Sequence, residues 1–344
     1  MILEGALSEF ADRGRRERDV AAVIARLGLS AVAIRSIIND GVLGSAFAGK
    51  RQTRNSDGDV QYELDVHADE LFMSAMHKAP VSFYATEELE RPVRLQRDMK
   101  LALAIDPLDG SSNIDTNVSI GTIFSILPAI DDDDDIAASF KQPGSAQLAA
   151  GFFIYGPQLA LAVTWGEGLH IFAYSARKEA FIRVCEALSI SRKAHEFAIN
   201  ASNARHWDEP VRAYVDDCLK GNAGPREKDY NMRWIASLVA DCYRILVRGG
   251  VFLYPSDSRP GYGRGRLRLV YEANPIAMIV EQASGVAIDG QTRILDLVPG
   301  ELHQRTPMIF GSGDEVERIA RYYASSGSIG ERAPLFGTRG LYRA

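Results

Sequence analysis

LALAIDPLDGSSN, residues 101–113, is the stretch around which the rest of the chain is organised. Its first five residues are apolar, which is typical of a buried strand. Pro107 fixes its own φ and favours an extended conformation at Asp106, so we expect the strand to end at Asp106. Asp106 and Asp109 can then face one pocket, together with the Leu108 carbonyl. Carboxylate and carbonyl oxygens are the ligands that Mg²⁺ prefers, so this turn is a candidate metal site.

The residues after Asp109 favour a phosphate beside that metal. Gly110 allows the backbone to turn sharply, and the N–H groups of Gly110, Ser111 and Ser112 can form a concave donor nest for a phosphate. Aspartate, proline, glycine and serine are also common in turns, so an acidic β-turn is the alternative. Because a strand, a DPLD pair and a GSSN run coincide here, we favour the metal and phosphate site.

The composition is that of an ordinary globular protein. The chain has 344 residues, of which 46% are hydrophobic and 24% charged, and its formal net charge is −6. Without a basic stripe or an uninterrupted apolar run of membrane-spanning length, we expect neither a nucleic-acid nor a membrane partner. We also see no signal peptide at the N-terminus. Three widely spaced cysteines without a CxxC pair predict a cytoplasmic location.

An acidic segment lies upstream of this stretch. In residues 55–65, Asp59 and Asp65 fall on the face of a predicted strand opposite its apolar residues. Asp65 also precedes a helical pattern over residues 66–78, where it can serve as the N-cap. The spacing therefore leaves a carboxylate site and a helix cap as alternatives for Asp65.

Two adjacent glutamates follow another short apolar strand. Residues 81–85 form that predicted strand, and Glu87 and Glu88 come directly after it. Its end lies near the end of the strand over residues 101–105 in the predicted sheet, so we expect a shared pocket. A solvated surface pair is the alternative for the two glutamates.

The rest of the first half predicts a sheet with helices packed on it. An amphipathic helix is expected over residues 16–40, because its apolar residues recur every three or four positions. Predicted strands cover residues 119–127, 147–155, 159–165 and 169–174. Residues 175–195 are expected to form a helical connector at the boundary between two domains, 1–190 and 191–344.

The second half supplies the basic residues. A helix is predicted over residues 231–247. At a period of two, Arg266, Arg268 and Glu272 share one face of an extended segment, and two guanidinium groups with a carboxylate suit a phosphate next to a metal. A surface ladder of ion pairs is the alternative. Asn274 is expected to cap the following helix.

Seven carboxylates are candidates for one pocket. They are Asp59, Asp65, Glu87, Glu88, Asp106, Asp109 and Glu272. Like charges at short range disfavour ionisation, so such a pocket needs cations. Two or more divalent ions, Mg²⁺ or Mn²⁺, resolve this and can ligate both the attacking water and the ester oxygen of a phosphoryl group. The sequence therefore predicts a metal-dependent phosphatase.

The chain resembles class I fructose-1,6-bisphosphatases from about residue 16 to its end. The motifs that carry the resemblance are EE at 87–88, DPLDGSSN at 106–113, GTIF at 121–124, FLYP at 252–255 and RLRLVYEANP at 266–275. Inositol monophosphatases share only the short aspartate motif, whereas the full set is more specific. The resemblance implies a mixed α/β fold with αβαβα layers. It also implies hydrolysis of the 1-phosphate of fructose 1,6-bisphosphate.

The resemblance further implies a role for each matching residue. Those that hold the metals are Glu87, Asp106, Asp109, Glu272 and the Leu108 carbonyl. Those that orient and deprotonate the attacking water are Asp59, Asp65 and Glu88. Those that bind the cleaved 1-phosphate are Gly110, Ser111 and Arg268. Those that bind the distant 6-phosphate are Asn200, Tyr254 and, from a neighbouring subunit, Arg233. The family is usually tetrameric, so the resemblance implies a homotetramer.

Five positions depart from the family pattern. Arg266 replaces a phosphate-binding lysine and keeps its charge but not its shape. Asn203 and Trp234 replace tyrosines at the 6-phosphate. Leu101 and Pro128 replace a tyrosine and an arginine of the family's inhibitory AMP site. We therefore expect weak or absent inhibition by AMP.

Three other functions stay open. The nearest is a dual or sedoheptulose-1,7-bisphosphatase, although Asn113 favours the fructose substrate because sedoheptulose-bisphosphatases typically carry another residue there. An inositol-type or nucleotide-type monophosphatase is less favoured, because Arg233 and Tyr254 match a second anion pocket that a monophosphate does not need. A non-enzymatic metabolite sensor would not need a pair of carboxylates that activates water.

Overall fold

The computed structural model describes residues 1–39, 50–54, 60–132 and 134–325. These residues form five layers in the order helix, sheet, helix, sheet, helix. Both faces of each sheet carry apolar side chains, so helices must cover both. This arrangement is the αβαβα layering that the family resemblance implies.

In the described part of the N-terminal region, three helices cover the outer face of the first sheet. They are α1 (Leu3–Ala11), α2 (Arg15–Asn39) and α3 (Glu63–Met76). The predicted apolar stripe of α2 is confirmed, since Val20, Ile24 and Leu27 are almost completely buried. By length and composition alone α2 would also be long and apolar enough to cross a membrane, a test that core helices pass as well.

The first sheet has eight strands. After the separate antiparallel pair β1 (Lys50–Arg54) and β2 (Val60–Tyr62), they are β3 (Val81–Thr86), β4 (Val93–Arg94), β5 (Leu101–Asp109), β6 (Ile120–Pro128), β7 (Ala149–Tyr155), β8 (Leu159–Thr164), β9 (Leu169–Ser175) and β10 (Ala180–Leu188). Their order across the sheet is β10-β9-β8-β7-β6-β5-β3-β4, and only β3 and β5 are parallel neighbours. Successive side chains face opposite layers: Phe153 packs toward the N-terminal helices and Phe152 toward the middle layer.

The remaining elements complete the layers. They are β11 (Glu196–Ala198), α4 (Glu209–Leu219), β12 (Asn231–Met232), α5 (Leu238–Arg248), β13 (Val251–Tyr254), β14 (Leu267–Arg268), α6 (Asn274–Gln282), β15 (Val286–Ile288), β16 (Arg305–Thr306), β17 (Met308–Gly311) and α7 (Gly313–Ser325). Helices α5 and α6 form the middle layer. The second sheet has the order β12-β11-β13-β17-β15, and α4 and α7 cover its outer face.

One predicted helix is wrong, and a second is correct except for its start. Residues 180–188 form the edge strand β10, which pairs antiparallel to β9. Its partly exposed side chains explain why the segment is rich in charge without being helical. In the second case α5 begins only at Leu238, where the Ser237 hydroxyl accepts a hydrogen bond from the Ala240 N–H at 3.4 Å. Arg233 therefore precedes the helix and does not lie in its first turn.

Two predicted helix caps are also wrong. Helix α3 begins at Glu63, so Asp65 lies inside its first turn. Asn274 already has helical dihedral angles, because a π-helical turn, Leu269–Ala273, runs directly into α6. Neither residue therefore occupies the N-cap position of its helix.

Candidate active site

Strand β5 continues past Asp106 to Asp109, so the prediction that it ends at Asp106 is wrong. In a regular strand, residues three apart face opposite sides of the sheet. Here a bulge lies between Asp106 and Asp109 in the pairing with β6. The bulge tolerates Pro107, whose carbonyl accepts a hydrogen bond from the Thr122 hydroxyl at 2.8 Å. It also lets both aspartates of one strand reach the same pocket.

Asp106, Asp109 and Glu272 form a compact acidic cluster. Their carboxylate oxygens lie within 4.8 Å of one another, and all three residues are buried. Glu272 comes from the π-helical turn, and it accepts a hydrogen bond from the Arg268 backbone N–H. The prediction that Arg266, Arg268 and Glu272 share an extended face is therefore wrong, although Glu272 does reach the cluster.

The cluster resists ionisation without a cation. Burial raises the pKa of Asp106 well above its usual range, and the nearby charges of Glu87, Asp109, Glu272 and Glu88 raise it further. Burial likewise raises the pKa of Glu272, with Glu87 and Asp109 adding to the shift. The charges of these five carboxylates therefore influence one another.

Asp109 is set apart by the N-terminus of α5. Burial raises its pKa to about 6, while hydrogen bonds oppose the shift. The Val239 N–H donates to its carboxylate at 3.0 Å, and the Ser237 hydroxyl lies at 3.5 Å. A helix N-terminus favours a nearby negative charge. Sequence reasoning missed Ser237, although a serine before an apolar-periodic run is a recognisable cap signal.

Glu87 and Glu88 follow β3 at the end where it lies beside β5. The Glu87 N–H donates to the Ile105 carbonyl at 3.2 Å, which anchors the pair to the neighbouring strand. Glu87 also lies 3.4 Å from the Arg268 guanidinium, which is 2% exposed. Arg268 thus places one buried positive charge beside the acidic cluster.

The other two predicted carboxylates lie on or before α3. Asp65 is buried in the first turn of that helix, and α3 packs against β5. Asp59 lies outside the described residues. The roles of both in activating water stay predictions.

The predicted phosphate nest follows β5 directly. Gly110 has φ +75°, a left-handed conformation that glycine adopts without strain. Ser111 begins a short 3₁₀ helix, Ser111–Thr116, in which Ser112 is exposed. Alternating left- and right-handed residues turn successive N–H groups toward one point, as an anion nest requires. The Asn113 side chain fixes this turn by donating to the Ala236 carbonyl at 2.7 Å.

A second cavity lies at the end of β13. Its lining includes Asn200, Asn203 and Tyr254, which lie at positions that the family resemblance places at the 6-phosphate, and Arg266, which replaces a phosphate-binding lysine of the family. Trp234 is not among the lining residues. Its ring instead stacks on that of Tyr254, which does line the cavity, with the centroids 6.0 Å apart.

Arg233 lies at a different place. It lines a smaller cavity with Glu196 and Arg244, and its guanidinium lies 3.8 Å from the Glu196 carboxylate. The side chain is half exposed. Its predicted contact with a neighbouring subunit stays a prediction.

The acidic cluster fits a divalent cation. Its donor set consists only of carboxylate oxygens, which suit hard cations such as Mg²⁺ and Mn²⁺. A bound cation would also reverse the raised pKa values of Asp106, Asp109 and Glu272. Three clustered, buried carboxylates without such a charge would destabilise the fold.

Comparison with known proteins identifies the family. Two models match the chain: the fructose-1-6-bisphosphatase N-terminal domain over residues 4–186 and its C-terminal domain over residues 190–324. A protein of Rhizobium meliloti (strain 1021) called fructose-1,6-bisphosphatase class 1 is 59% identical to this chain, with 99% of each chain covered. The chain belongs to the class 1 fructose-1,6-bisphosphatase family.

Other bisphosphatases extend the comparison. The class 1 enzyme of Bradyrhizobium diazoefficiens is 49% identical, with 99% of this chain and 98% of the relative covered. Among solved structures, Leishmania major fructose-1,6-bisphosphatase in holo form superposes with a TM-score of 0.84 at 32% identity. It covers 89% of this chain and 94% of the Leishmania chain. The layered fold is therefore that of a fructose-1,6-bisphosphatase.

Proposed function

We infer that this bisphosphatase hydrolyses the 1-phosphate of fructose 1,6-bisphosphate, giving fructose 6-phosphate and phosphate. The observation that supports this most is the coexistence of two anion sites. One is the acidic cluster with its adjoining glycine and serine turn, and the other is the cavity lined by Tyr254 and Arg266. A monophosphate needs only the first site.

The residues of the first site have two proposed roles, metal binding and phosphate binding. We propose that Glu87, Asp106, Asp109, Glu272 and the Leu108 carbonyl hold two or more Mg²⁺ ions, with Mn²⁺ as a substitute. When bound, the cations supply Lewis acidity and lower the pKa of water. The N–H groups of Gly110, Ser111 and Ser112 and the Arg268 guanidinium hold the phosphate that is cleaved. Preorganised donors of this kind favour the charge that develops on phosphate oxygens.

The carboxylates that are not metal ligands have another task. We propose that Asp59, Asp65 and Glu88 orient the attacking water and take up its proton. Glu88 lies near Asp106, since its charge contributes to the raised pKa of Asp106. A carboxylate next to bound cations and a phosphate is well placed to accept a proton.

Three further parts of the proposal concern the whole protein. We propose a division into residues 1–190, which carry most metal ligands, and 191–344, which carry the distant phosphate site. We propose a cytoplasmic homotetramer. In that tetramer Arg233, which is half exposed in this chain, reaches the 6-phosphate of a neighbouring active site.

The choice of sugar is tested by comparing two substrates. Phosphate release from fructose 1,6-bisphosphate and from sedoheptulose 1,7-bisphosphate would be measured at saturating Mg²⁺, and kcat/KM compared. We expect the fructose substrate to be preferred. Equal or higher kcat/KM on the sedoheptulose substrate would favour the dual or sedoheptulose bisphosphatase instead.

A further inference from the structure

Within the described ranges of the chain, one of the arginines that line the second cavity has no carboxylate partner. Two arginines line it, Arg259 and Arg266, together with one acidic residue, Asp257. Asp257 is buried and engages Arg259 through both carboxylate oxygens, with two of the N–O distances at 3.0 Å. Among the described residues, no carboxylate lies within ion-pair distance of Arg266. The cavity therefore keeps a net positive charge, which favours an anion.

Tyr262 is held between these two arginines. Its ring centroid lies 4.1 Å from the Arg259 guanidinium and 4.7 Å from that of Arg266. The Arg266 Nη1 group donates a hydrogen bond to the Tyr262 hydroxyl oxygen. Because that oxygen is the acceptor, the phenol keeps its own proton to donate. Tyr262 lines the same cavity as Tyr254 and Asn200.

The loop that carries Tyr262 is tied to the cavity wall. The Tyr262 N–H donates to the Arg259 carbonyl at 3.0 Å, and its carbonyl accepts from the Gly265 N–H at 2.9 Å. These contacts place Tyr262 at the junction of two tight turns. Asp257 forms an isolated β-bridge with Trp207, which also lines the cavity. The phenol is therefore positioned before any ligand arrives, which lowers the entropic cost of binding.

We propose that Tyr262 is a substrate-binding residue, whose hydroxyl donates a hydrogen bond to the phosphate that is not cleaved. This inference rests on the proposed function. Asn203 and Trp234 replace tyrosines of the family at this site, and Trp234 does not line the cavity. The Tyr262 hydroxyl, oriented by Arg266, supplies a phenolic donor from the loop over residues 255–265. The site thus recognises the second phosphate of a sugar bisphosphate with a group outside the motifs that identify the family.

The test uses the full chain, wild type and Tyr262→Phe, at saturating Mg²⁺. Phenylalanine keeps the ring between the two arginines and removes only the hydroxyl. We expect KM for fructose 1,6-bisphosphate to rise about tenfold and kcat to change less than about twofold, because a hydrogen bond to a charged group is lost from substrate and transition state alike. Binding of fructose 6-phosphate, followed by calorimetry, should weaken by a similar factor.

Fructose 1-phosphate separates a binding role from a structural one. It has no second phosphate, so wild type and Tyr262→Phe should hydrolyse it with the same kcat/KM. Tyr174→Phe, which removes a phenol from β9 in the first sheet, serves as the matched control and should leave all three measurements unchanged.

Three results would overturn the inference in different ways. A wild-type enzyme that hydrolyses fructose 1,6-bisphosphate, with unchanged KM in Tyr262→Phe, would contradict the role of Tyr262 and leave the proposed function standing. A wild-type chain that does not hydrolyse this substrate would contradict both. An equal loss on fructose 1-phosphate would show that Tyr262 acts through structure alone.

Discussion

Asp109 belongs to the acidic cluster and also contacts the first turn of helix α5. Its carboxylate lies within 4.8 Å of those of Asp106 and Glu272, and the Val239 N–H at the start of α5 donates to it. The same side chain is thus a predicted metal ligand and a contact between the first sheet and the middle layer. A substitution there should separate catalysis from stability.

We expect Asp109→Asn to lose at least about 100-fold in kcat, because a lost metal ligand removes several kcal/mol of transition-state stabilisation. The amide oxygen can still accept from Val239, and one repelling charge is gone. The melting temperature of the metal-free protein should therefore not fall. Steady-state kinetics and thermal unfolding check both points. Asp132→Asn, at an exposed aspartate, is the control, and wild-type turnover of Asp109→Asn would contradict the metal site.

The raised pKa of Asp109 predicts how metal binding depends on pH. Its pKa in the folded protein is about 6, above the unfolded value of about 3.9. Because the folded form binds the extra proton, the metal-free protein loses stability as pH rises through this range. Mg²⁺ must displace that proton at low pH and meets an ionised group at high pH. The rise in melting temperature on adding Mg²⁺ should therefore be larger at about pH 8 than at about pH 5; an equal rise would count against the cluster as the binding site.

At the scale of elements, regular strands were predictable and irregular ones were not. The predicted strands at 119–127 and 147–155 are found as β6 and β7, with bounds within two residues of the prediction. They were predictable because strands that are buried on both faces consist of nearly continuous apolar residues. The edge strand β10 was predicted as helix, since its exposed side chains remove the apolar signal.

The site depends on the irregular features. The bulge after Asp106 and the π-helical turn that carries Glu272 bring the acidic side chains together. Both are set by contacts with other elements, so neither follows from a period of two or of 3.6. The members of the acidic cluster were predictable from residue type, whereas their geometry was not. The cavity around Tyr262 likewise depends on a bridge between Trp207 and Asp257, which no local pattern reveals.

Helix α7 is fixed by a buried ion pair at Glu315. The Arg226 guanidinium donates to both carboxylate oxygens at 2.7 and 2.8 Å, and the Tyr214 and Tyr230 hydroxyls donate at 2.8 and 2.9 Å. Burial alone would raise the pKa of Glu315, but these donors outweigh it and the pKa is lowered. Breaking one side of such a pair leaves an uncompensated buried charge.

We expect Glu315→Gln to lower the free energy of unfolding by about 3 kcal/mol. The contribution of Glu315 is present above the unfolded pKa and is lost as pH falls through the lower folded value. The difference from wild type should therefore shrink below about pH 4. Denaturant unfolding at several pH values measures it. Glu317→Gln, at a partly exposed ion pair with Arg192 on the same helix, is the control and should change stability by less than about 0.5 kcal/mol. Equal effects of the two variants would contradict this account.

For the whole molecule, regulation by AMP should be weak or absent. Leu101 is buried at the start of β5 and pairs with Pro128 at the end of β6, so neither side chain offers a donor to a phosphate. Initial rates on fructose 1,6-bisphosphate would be measured with increasing AMP. Potent inhibition would show that the protein binds AMP through other residues.

The five-layer fold brings segments that are distant in the sequence together at the acidic cluster. Each sheet places strand ends beside the middle helices, so that β5, the π-helical turn and the N-terminus of α5 converge on the acidic cluster. The layer order was predictable once the family motifs were recognised, because they fix the order of elements along the chain. The position of Arg233 relative to a neighbouring subunit was not, since one chain does not contain that contact.

The most direct test of the account is product analysis with fructose 1,6-bisphosphate as substrate. Phosphate and fructose 6-phosphate would be quantified with Mg²⁺, after chelation of the metal, and after Mg²⁺ is restored. We predict one phosphate and one fructose 6-phosphate per substrate with Mg²⁺, no turnover after chelation and full recovery on restoration. Turnover that survives chelation, or release of fructose 1-phosphate instead, would contradict a metal-dependent 1-phosphatase.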